Sequence, residues 1–379
     1  MGLSGKATAR RKRQRVFAGP RWARWCAFLG AVLMLVSGGL LLATEAVLAR
    51  YEGAVTHADL FGDGSAGAKR SSDIKGPLNL LLVGIDPRPS DPNRPPLADT
   101  ILILHVAESM DQAYLFSLPR DLVVDIPAFE KANYPGGTDR INAAMAYGSR
   151  VPGAEKPDPA RGFELLAKTV SQVTGITHFD AGAIVNFTGF QKIVDAMGGV
   201  TMYIDTDVKS EHRQPDGKHR KRNPYGEGYI GPQMEYKKGV RHLNGWQALD
   251  YIRQRKTLPD GDYGRQRHQQ QFVKAMVSQA FSRDVVTNPI KLDAVLRAAG
   301  ESLIFNGRGY SIAEYAFALR NIRPSSIAMI RLPGESVIVG GQYQGERLTP
   351  LAQEFFAAVR EGTVDTFLLN HPEMLNLDK

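Results

Sequence analysis

LNLLLVGID, residues 78–86, is a short apolar run that ends in a glycine and an acid. Such a run is typical of a strand that is buried on both faces of a sheet. TILILHV (100–106) and AYLFSL (113–118) have the same character and predict two more strands. Asp86 therefore stands at the carboxyl end of a sheet strand, where α/β proteins collect their ligands.

Helical patterns alternate with strands along the rest of the chain. IVNFTGFQKIVDAMGGV (184–200) predicts a strand, a helix, a Gly-Gly stop and a new strand at 200–204. This mixture predicts an α/β layered domain with a mostly buried sheet, over residues 77–370, followed by a tail at 371–379. The remaining helices are predicted at about 141–148, 162–174, 245–252, 265–282, 287–299, 311–320 and, as the last one, 349–360, with a further strand at 326–332.

The amino-terminal region predicts a membrane anchor. Residues 1–24 are basic and contain no acid, and they account for the whole net charge of +8, so the remainder is neutral and nucleic-acid binding is not expected. Residues 25–49 are long and apolar enough for a transmembrane signal-anchor helix, and 50–76 read as a flexible linker. The basic flank places 1–24 in the cytoplasm and the domain on the outer side of the plasma membrane. A cleaved signal peptide is the alternative.

Several catalytic classes are excluded by composition. Cys26 is the only cysteine and lies in the predicted anchor, so cysteine proteases, Cys-ligated zinc and thioredoxin-like chemistry are excluded. The sequence has no GxSxG elbow, no HExxH helix and no P-loop.

Two acids predict a metal site. Asp86 ends one strand and Asp99 opens the next. Two carboxylates on adjacent strands suit Mg²⁺, which takes oxygen ligands and usually binds phosphate as well. The alternative is that each is a turn or cap residue.

Arginines gather in three later segments. Arg120 and Asp121 follow the third strand and would make an ordinary ion pair, while Arg140 and Asn142 precede a helix that Asn142 would cap. The densest segment lies between apolar stretches, so its arginines are expected to be buried and to need an anion such as pyrophosphate. A solvated helix start is the plain alternative. That segment contains Arg253, Arg255, Asp262, Arg265 and Gln269.

One stretch departs from this rhythm. Residues 209–238 are polar, rich in Pro and Gly and locally basic, which predicts a long surface excursion. Its Lys218, Arg220, Lys221 and Arg222 would meet an anionic glycan or lipid headgroups, or simply solvent.

The motifs together resemble the LytR-CpsA-Psr family. They are NLLLVGIDPR, ADT, SLPRDLVVDIP, RINAA, GGV followed by YID, GVRHLNGWQALDYIRQR and DGDYGRQRHQQQF, and they span roughly residues 77–280. The resemblance implies an α/β/α sandwich with a mixed central sheet and an apolar cavity for a lipid tail. It also implies a membrane-anchored phosphotransferase that moves a glycopolymer from a polyprenyl-pyrophosphate carrier to peptidoglycan through a phosphodiester bond, assisted by Mg²⁺ or Mn²⁺.

The resemblance also assigns residues. Asp86 and Asp99 would hold the metal, with Asp86 as a candidate base, although a carboxylate that holds a metal is not free to accept a proton. Asp262 and Gln269 would support the phosphate shell, and Arg140 and Asn142 are counted with the substrate-binding residues. The phosphate-binding arginines would be Arg88, Arg120, Arg253, Arg255 and Arg265.

The chain departs from the family pattern at two positions. Leu97 occupies a position where the family often has arginine, so that Arg94 would have to reach the phosphate, and His268 stands where arginine is common. Two other functions stay open: a hydrolase of the polyprenyl-pyrophosphate linkage, and a scaffold that binds lipid-linked glycan without turnover.

Overall fold

The apolar run at 78–85 forms a central strand of a mixed seven-stranded sheet. The computed structural model describes residues 56–65, 73–87, 90–280, 282, 285 and 288–376. The described strands are β1 (Thr56–His57), β2 (Leu78–Ile85), β3 (Ala98–Val106), β4 (Ala113–Leu118), β5 (Val123–Ile126), β6 (Gly137–Arg140), β7 (Ala181–Asn186), β8 (Val200–Ile204), β9 (Val208–Lys209), β10 (Lys221–Arg222), β11 (Tyr229–Ile230), β12 (Glu235–Tyr236), β13 (Gly239–Leu243), β14 (Leu303–Asn306), β15 (Ile327–Ile330), β16 (Gly334–Val339) and β17 (Gln342–Leu348).

The described α-helices are α1 (Asn142–Gly148), α2 (Pro159–Thr174), α3 (Phe187–Ala196), α4 (Gly245–Arg253), α5 (Gly261–Ala280), α6 (Pro289–Ser302), α7 (Ile312–Ala318), α8 (Pro350–Glu361) and α9 (Val364–Asn370). Short 3₁₀ turns lie at Glu130–Ala132, Leu319–Asn321, Pro324–Ser326 and Pro372–Met374.

The sheet has the order β1-β14-β7-β2-β3-β4-β15 and is covered on both faces. β2 pairs antiparallel with β3 and parallel with β7, while β3 and β4 are antiparallel. Alternate residues of each strand enter different cores, because side chains alternate across a strand. Leu81 and Ile103 pack with residues of α1, α2 and α8, whereas Leu80 and Leu102 pack with residues of α5 and α7.

Strong local patterns predicted most of these elements. AYLFSL has the predicted bounds, and the strand, helix, Gly-Gly stop and strand at 181–204 follow in the predicted order. Gly198 and Gly199 adopt positive φ angles of 81° and 93°, a conformation that glycine tolerates better than other residues do.

Two predicted boundaries are wrong. Within the predicted linker, Thr56–His57 pairs with β14, and Leu60 is fully buried in the main core. Within the predicted tail, Met374 is 2% exposed and its carbonyl accepts a hydrogen bond from the Arg331 N–H at 2.7 Å. The folded domain therefore includes residues on both sides of the predicted range.

The prediction that 349–360 is the last helix is also wrong, because α9 follows it. The predicted transmembrane helix at 25–49 lies outside the described residues. Within the described part of the chain, no helix has the length and apolar character needed to cross a membrane.

Helix α5 is unusual because its buried face is polar. Arg265 and Gln269 belong to this face, and Gln270 is 1% exposed. The Gln270 amide donates to the Ser117 hydroxyl at 3.1 Å and to the Ile330 carbonyl at 2.9 Å. Its carbonyl oxygen accepts from Asn376 at 2.9 Å. The helix is thus held by hydrogen bonds at both the sheet and the carboxyl-terminal segment.

Candidate active site

The two acids predicted to hold a metal lie at the same end of neighbouring strands. Asp86 follows β2 directly, and Asp99 is the second residue of β3. Gly84 pairs with Thr100 and Ile85 with Ala98, so Asp99 is the extra residue of a β-bulge. Bulges often lie next to active sites because they redirect a side chain.

Arg120 follows β4 and connects Asp99 with a second carboxylate. Its Nη1 donates to Asp99 Oδ1 at 2.6 Å, and its Nε lies 3.8 Å from Asp121 Oδ2. Asp121 is 7% exposed and also lies 3.4 Å from Arg140 Nη1 and 3.9 Å from Arg255 Nη1. One buried carboxylate therefore faces three guanidiniums.

The end of α4 places Arg253 beside Asp86. Arg253 Nη2 lies 3.1 Å from Asp86 Oδ2, and the guanidinium carbon lies 4.3 Å from the ring centroid of Phe187. Phe187 begins α3, so three separate elements converge on this guanidinium. A cation over an aromatic face is held without losing its charge.

Gln254 holds the backbone between Arg253 and Arg255. It has extended dihedral angles (φ −65°, ψ 134°), so its side chain and those of its neighbours point in opposite directions. The Gln254 side chain is buried, accepts from the Glu211 N–H at 2.9 Å and donates to Asp250 Oδ1 at 2.9 Å. The arginines are thereby tied to the segment that begins at residue 209.

The expectation that the arginines of the dense segment are buried is confirmed for Arg265 and wrong for Arg253, which is exposed. Arg265 is the most enclosed of the predicted phosphate-binding arginines that the structure describes. It is 7% exposed, and its Nη2 lies 2.8 Å from Asp262 Oδ1. Its buried Nε has no hydrogen-bond partner among the described residues. Gln269, one turn further on, donates to the Ile252 carbonyl at 3.4 Å.

Arg120 and Arg265 differ in their electrostatic surroundings. Burial lowers the pKa of Arg120, but Asp99 and Asp121 outweigh that effect and raise it. Burial likewise lowers the pKa of Arg265, and the neighbouring Arg120 and Arg255 lower it further against the opposing effect of Asp262. Both guanidiniums stay charged, since arginine is not deprotonated in proteins. The surroundings of Arg265 therefore favour an additional anion.

These groups line one cavity of about 670 Å³. The predicted residues that line it are Asp99, Arg120, Arg253, Arg255, Arg265 and Gln269. Asp86 borders this group through its ion pair with Arg253, and Asp262 supports it through Arg265. Arg88 lies outside the described residues.

Other candidate residues are placed elsewhere. Arg140 contacts Asp121, donates from Nε to the Gln344 carbonyl at 3.2 Å and is not among the cavity-lining residues. Asn142 is buried, and its N–H donates to the Arg120 carbonyl at 3.2 Å. The idea that Asn142 caps α1 is wrong, since the N-cap residue is Ile141.

The departures from the family pattern have structural outcomes. Leu97 is 37% exposed and Arg94 is exposed, and neither lines the cavity. His268 is fully buried, with Nε2 lying 3.0 Å from Asp205 Oδ1 and its ring stacked on Tyr251 at 4.5 Å. His268 is therefore part of the packing behind the arginines.

Sequence reasoning missed three contributors to the site. Asp121 is expected from the sequence only as an ion-pair partner of Arg120, and Phe187 is not among the predicted site residues. The 209–238 segment was expected to be a surface excursion, yet His212, Arg222 and Tyr229 line the cavity. Trp246 and Tyr251 stand close to the Arg253-Gln254-Arg255 motif, and these aromatic residues were the sequence signal for ring contacts at the site.

Comparison with known proteins shows the family to which this chain is similar. The profile of the LytR_cpsA_psr family matches residues 49–360. The chain is 30% identical over 272 residues to the polyisoprenyl-teichoic acid–peptidoglycan teichoic acid transferase TagU of Oceanobacillus iheyensis, covering 70% of this chain and 72% of that protein. It is 29% identical over 340 residues to the cell wall biosynthesis protein LcpA of Corynebacterium glutamicum, covering 84% of this chain but only 60% of the relative.

The chain belongs to the LytR-CpsA-Psr family. Solved structures agree on the fold: TagV of B. subtilis has a TM-score of 0.55 at 21% identity, covering 76% of this chain and 98% of that one. TagT bound to LI-WTA has a TM-score of 0.53 at 23% identity, covering 80% and 98%. The predicted mixed α/β fold with a central mixed sheet is confirmed.

Proposed function

We propose that this protein is a membrane-anchored phosphotransferase that attaches a glycopolymer from a polyprenyl-pyrophosphate carrier to peptidoglycan. The observation that carries the proposal is Arg265, a buried guanidinium whose Nε has no hydrogen-bond partner among the described residues, on a cavity that Arg120 and Arg255 also line. A pyrophosphate supplies the missing negative charge in the forked geometry that guanidinium prefers. The name of TagU supports transfer of a cell-wall polymer from a polyisoprenyl carrier to peptidoglycan, and the name of LcpA supports a role in cell wall biosynthesis.

In the proposed reaction, an acceptor hydroxyl oxygen of peptidoglycan attacks the phosphorus that carries the glycan. A phosphodiester forms as the hydroxyl gives up its proton, for which Asp86 is the candidate base, the bond to the bridging oxygen breaks, and polyprenyl phosphate leaves. Arg120, Arg253, Arg255 and Arg265 bind the phosphate oxygens and stabilise the charge that develops on them. Catalysis then consists mainly of positioning and electrostatic stabilisation.

The acids fit a divalent cation. Asp86 and Asp99 are oxygen donors at one end of the sheet, each beside a guanidinium. Among the described residues there is no cluster of three or more acids, histidines or cysteines that would hold a metal without help. Mg²⁺ or Mn²⁺ would need only one or two carboxylates and would complete its shell with water and substrate phosphate. When bound, the ion would neutralise phosphate charge.

The anchor belongs to the same proposal. The apolar residues 25–49 would hold the enzyme in the plasma membrane, with the basic tail in the cytoplasm and the domain facing the cell wall. Its substrate is carried by a membrane lipid, so an anchored enzyme meets it without leaving the bilayer. The proposal assigns no nucleic-acid partner, because the charge of the remaining chain is balanced.

The test uses the full chain in detergent with Mg²⁺, a polyprenyl-pyrophosphoryl disaccharide and uncrosslinked peptidoglycan, with products identified by mass spectrometry. The expected product is a glycan–phosphate–peptidoglycan adduct that disappears with EDTA and falls sharply in Arg265→Ala. The matched control is Arg347→Ala, which removes a 68% exposed arginine and should leave the yield unchanged. Free glycan phosphate would instead establish the hydrolase, and intact bound lipid without product would establish the scaffold.

A further inference from the structure

The 209–238 segment forms one wall of the cavity that holds the arginines. His212, Arg222 and Tyr229 line this cavity together with Arg120 and Arg265. A surface loop with no part in the site would not share a continuous space with these guanidiniums. The segment is therefore placed to contact whatever extends from a bound pyrophosphate.

The wall is built by internal contacts. Arg220 donates to the carbonyls of Glu211 at 2.9 Å, Tyr229 at 3.0 Å and Gly231 at 3.1 Å, so one guanidinium joins both arms of the segment. At its base, β9 pairs with β12. Arg220 is thus a structural residue, whereas the exposed Arg222 faces the cavity.

A buried carboxylate fixes the base of the wall. Asp250 accepts from Ser210 at 3.0 Å, Tyr236 at 2.8 Å and Gln254 at 2.9 Å. Because Gln254 lies between Arg253 and Arg255, the Asp250 carboxylate supports both the wall and these two arginines.

The wall presents rings and polar groups together. The His212 and Tyr229 rings lie 4.9 Å apart, and Trp246 of α4 lines the same cavity. Trp246 is packed against Gly217, where an added Cβ would approach the indole to 3.1 Å. Sugar rings have apolar C–H faces and a rim of hydroxyls, so aromatic faces next to hydrogen-bonding groups suit them.

The cavity has room beyond the phosphates. A pyrophosphate has nine non-hydrogen atoms, and at the roughly 30 Å³ that a liquid water occupies it needs less than about 300 Å³. About half of the 670 Å³ therefore stays available for a group covalently attached to it. Under the proposed function, the first sugar of the glycan is one such group.

We propose that the 209–238 wall, with His212 and Tyr229 as its ring surface and Trp246 packed against it at Gly217, binds the sugar attached to the pyrophosphate and so selects the donor glycan. This inference rests on the proposed function, since it assumes a pyrophosphate-linked glycan as the ligand. The wall would contribute little to binding of the phosphates themselves, because the arginines hold those.

The test compares two probes in a binding assay that needs no turnover. The full chain in detergent is titrated with polyprenyl-pyrophosphoryl disaccharide and, separately, with polyprenyl pyrophosphate without sugar. In His212→Ala/Tyr229→Ala, the Kd for the disaccharide probe should rise roughly tenfold or more, the usual cost of losing ring contacts, and the Kd for the sugar-free probe should change less than about twofold. Arg265→Ala should weaken both probes.

The matched control is Tyr225→Ala. Tyr225 lies in the same segment, is 95% exposed and does not line the cavity, so its removal should change neither Kd. Equal weakening of both probes by the double variant would show that the wall only positions the arginines, and no change would show a bystander. In the transfer assay, a raised KM for peptidoglycan with an unchanged donor Kd would show that the wall binds the acceptor instead of the donor. Each of these three results overturns the proposal, while failure of wild type to bind either probe would overturn the proposed function.

Discussion

The two ends of the same three strands, β2, β3 and β4, use polar residues in opposite ways. At one end, Asn79 and His105 are cross-strand neighbours joined by a 2.8 Å hydrogen bond, and Tyr114, the neighbour of His105, donates to Asp365. The Asn79 N–H donates to Asp180 at 2.8 Å. These groups find their partners within the protein.

The opposite end is not closed in this way. There Asp86, Asp99 and Arg120 stand at the strand ends, and Arg255 and Arg265 add positive charge beside them. The contrast teaches that polarity at a sheet end does not define a site. An excess of charge of one sign does, above all where one of the charges is buried as at Arg265, because such charge needs an external partner.

The strongest way to break this comparison is to remove the acids of the open end. Asp86→Asn combined with Asp99→Asn should reduce transfer by at least about a thousandfold, because the two proposed metal ligands are lost. Mn²⁺ binding in the presence of pyrophosphate, followed by electron paramagnetic resonance, should be lost as well. Asp125→Asn, at an exposed acid, is the control. Full activity of the double variant would refute both enzymatic functions.

Arg265→Ala should have the next largest effect. Loss of one preorganised charge donor typically lowers kcat by about 10²–10³-fold. Arg265→Lys keeps the charge without the fork and should recover part of the rate. The measurement is kcat from initial rates, with folding checked by circular dichroism. Equal rates for the Ala variant and wild type would show that Arg265 has no part in transfer and would leave the proposed function without its main support.

At the closed end the expected effect concerns stability. Burial lowers the pKa of His105 from its ordinary 6.5 to about 4. Between these values the unfolded chain binds a proton that the folded chain does not, so stability present above pH 6.5 falls as the pH drops towards 4. In His105→Gln, the free energy of unfolding lost between pH 7.5 and pH 5 should be smaller by about 2 kcal/mol.

Urea unfolding at both pH values measures this difference. The matched control is His242→Gln, at an exposed position where the ring meets water in both states. If wild type and His105→Gln lose stability in parallel, the closed network does not exclude the proton. Transfer activity at neutral pH should be unchanged in both variants.

Tyr114→Phe should have the smallest effect. It removes the hydroxyl that donates to Asp365 and leaves the ring in place. Gln112 still donates to Asp365 at 3.1 Å, so the carboxylate keeps a partner and the cost should be about 1 kcal/mol. A shift in the midpoint of urea unfolding without a change in transfer rate is expected. A loss of activity would show that the two ends are coupled.

Local patterns explain what could be predicted from the sequence. The β2, β3 and β4 runs are apolar, short and bounded by turn residues, and the arginines stand directly beside such runs. β14 was missed because its residues, LIFN, directly follow a helix and become a strand only through pairing with β7. Likewise, nothing near Leu60 shows that it enters the core, because its contacts are distant in the chain.

The site was predictable in its charges but not in its connections. Arg253 and Arg255 stand two residues apart in the sequence, and the extended Gln254 between them places both on the cavity. The role of Asp121 depends on Arg140 and Arg255, which approach it only after folding. The cavity wall at 209–238 looks like solvated loop in sequence because its hydrogen bonds go mainly to backbone groups.

The polar face of α5 also determines how this helix packs against the sheet during folding. An apolar helix face can slip by one turn, 5.4 Å, and still bury similar area. A slip of α5 would separate the Gln270 amide from Ser117 and Ile330, leaving buried groups unsatisfied at about 1–3 kcal/mol each. Only one docking register satisfies these amides. The position of Arg265 is therefore set during folding by glutamine contacts outside the cavity, before any ligand arrives.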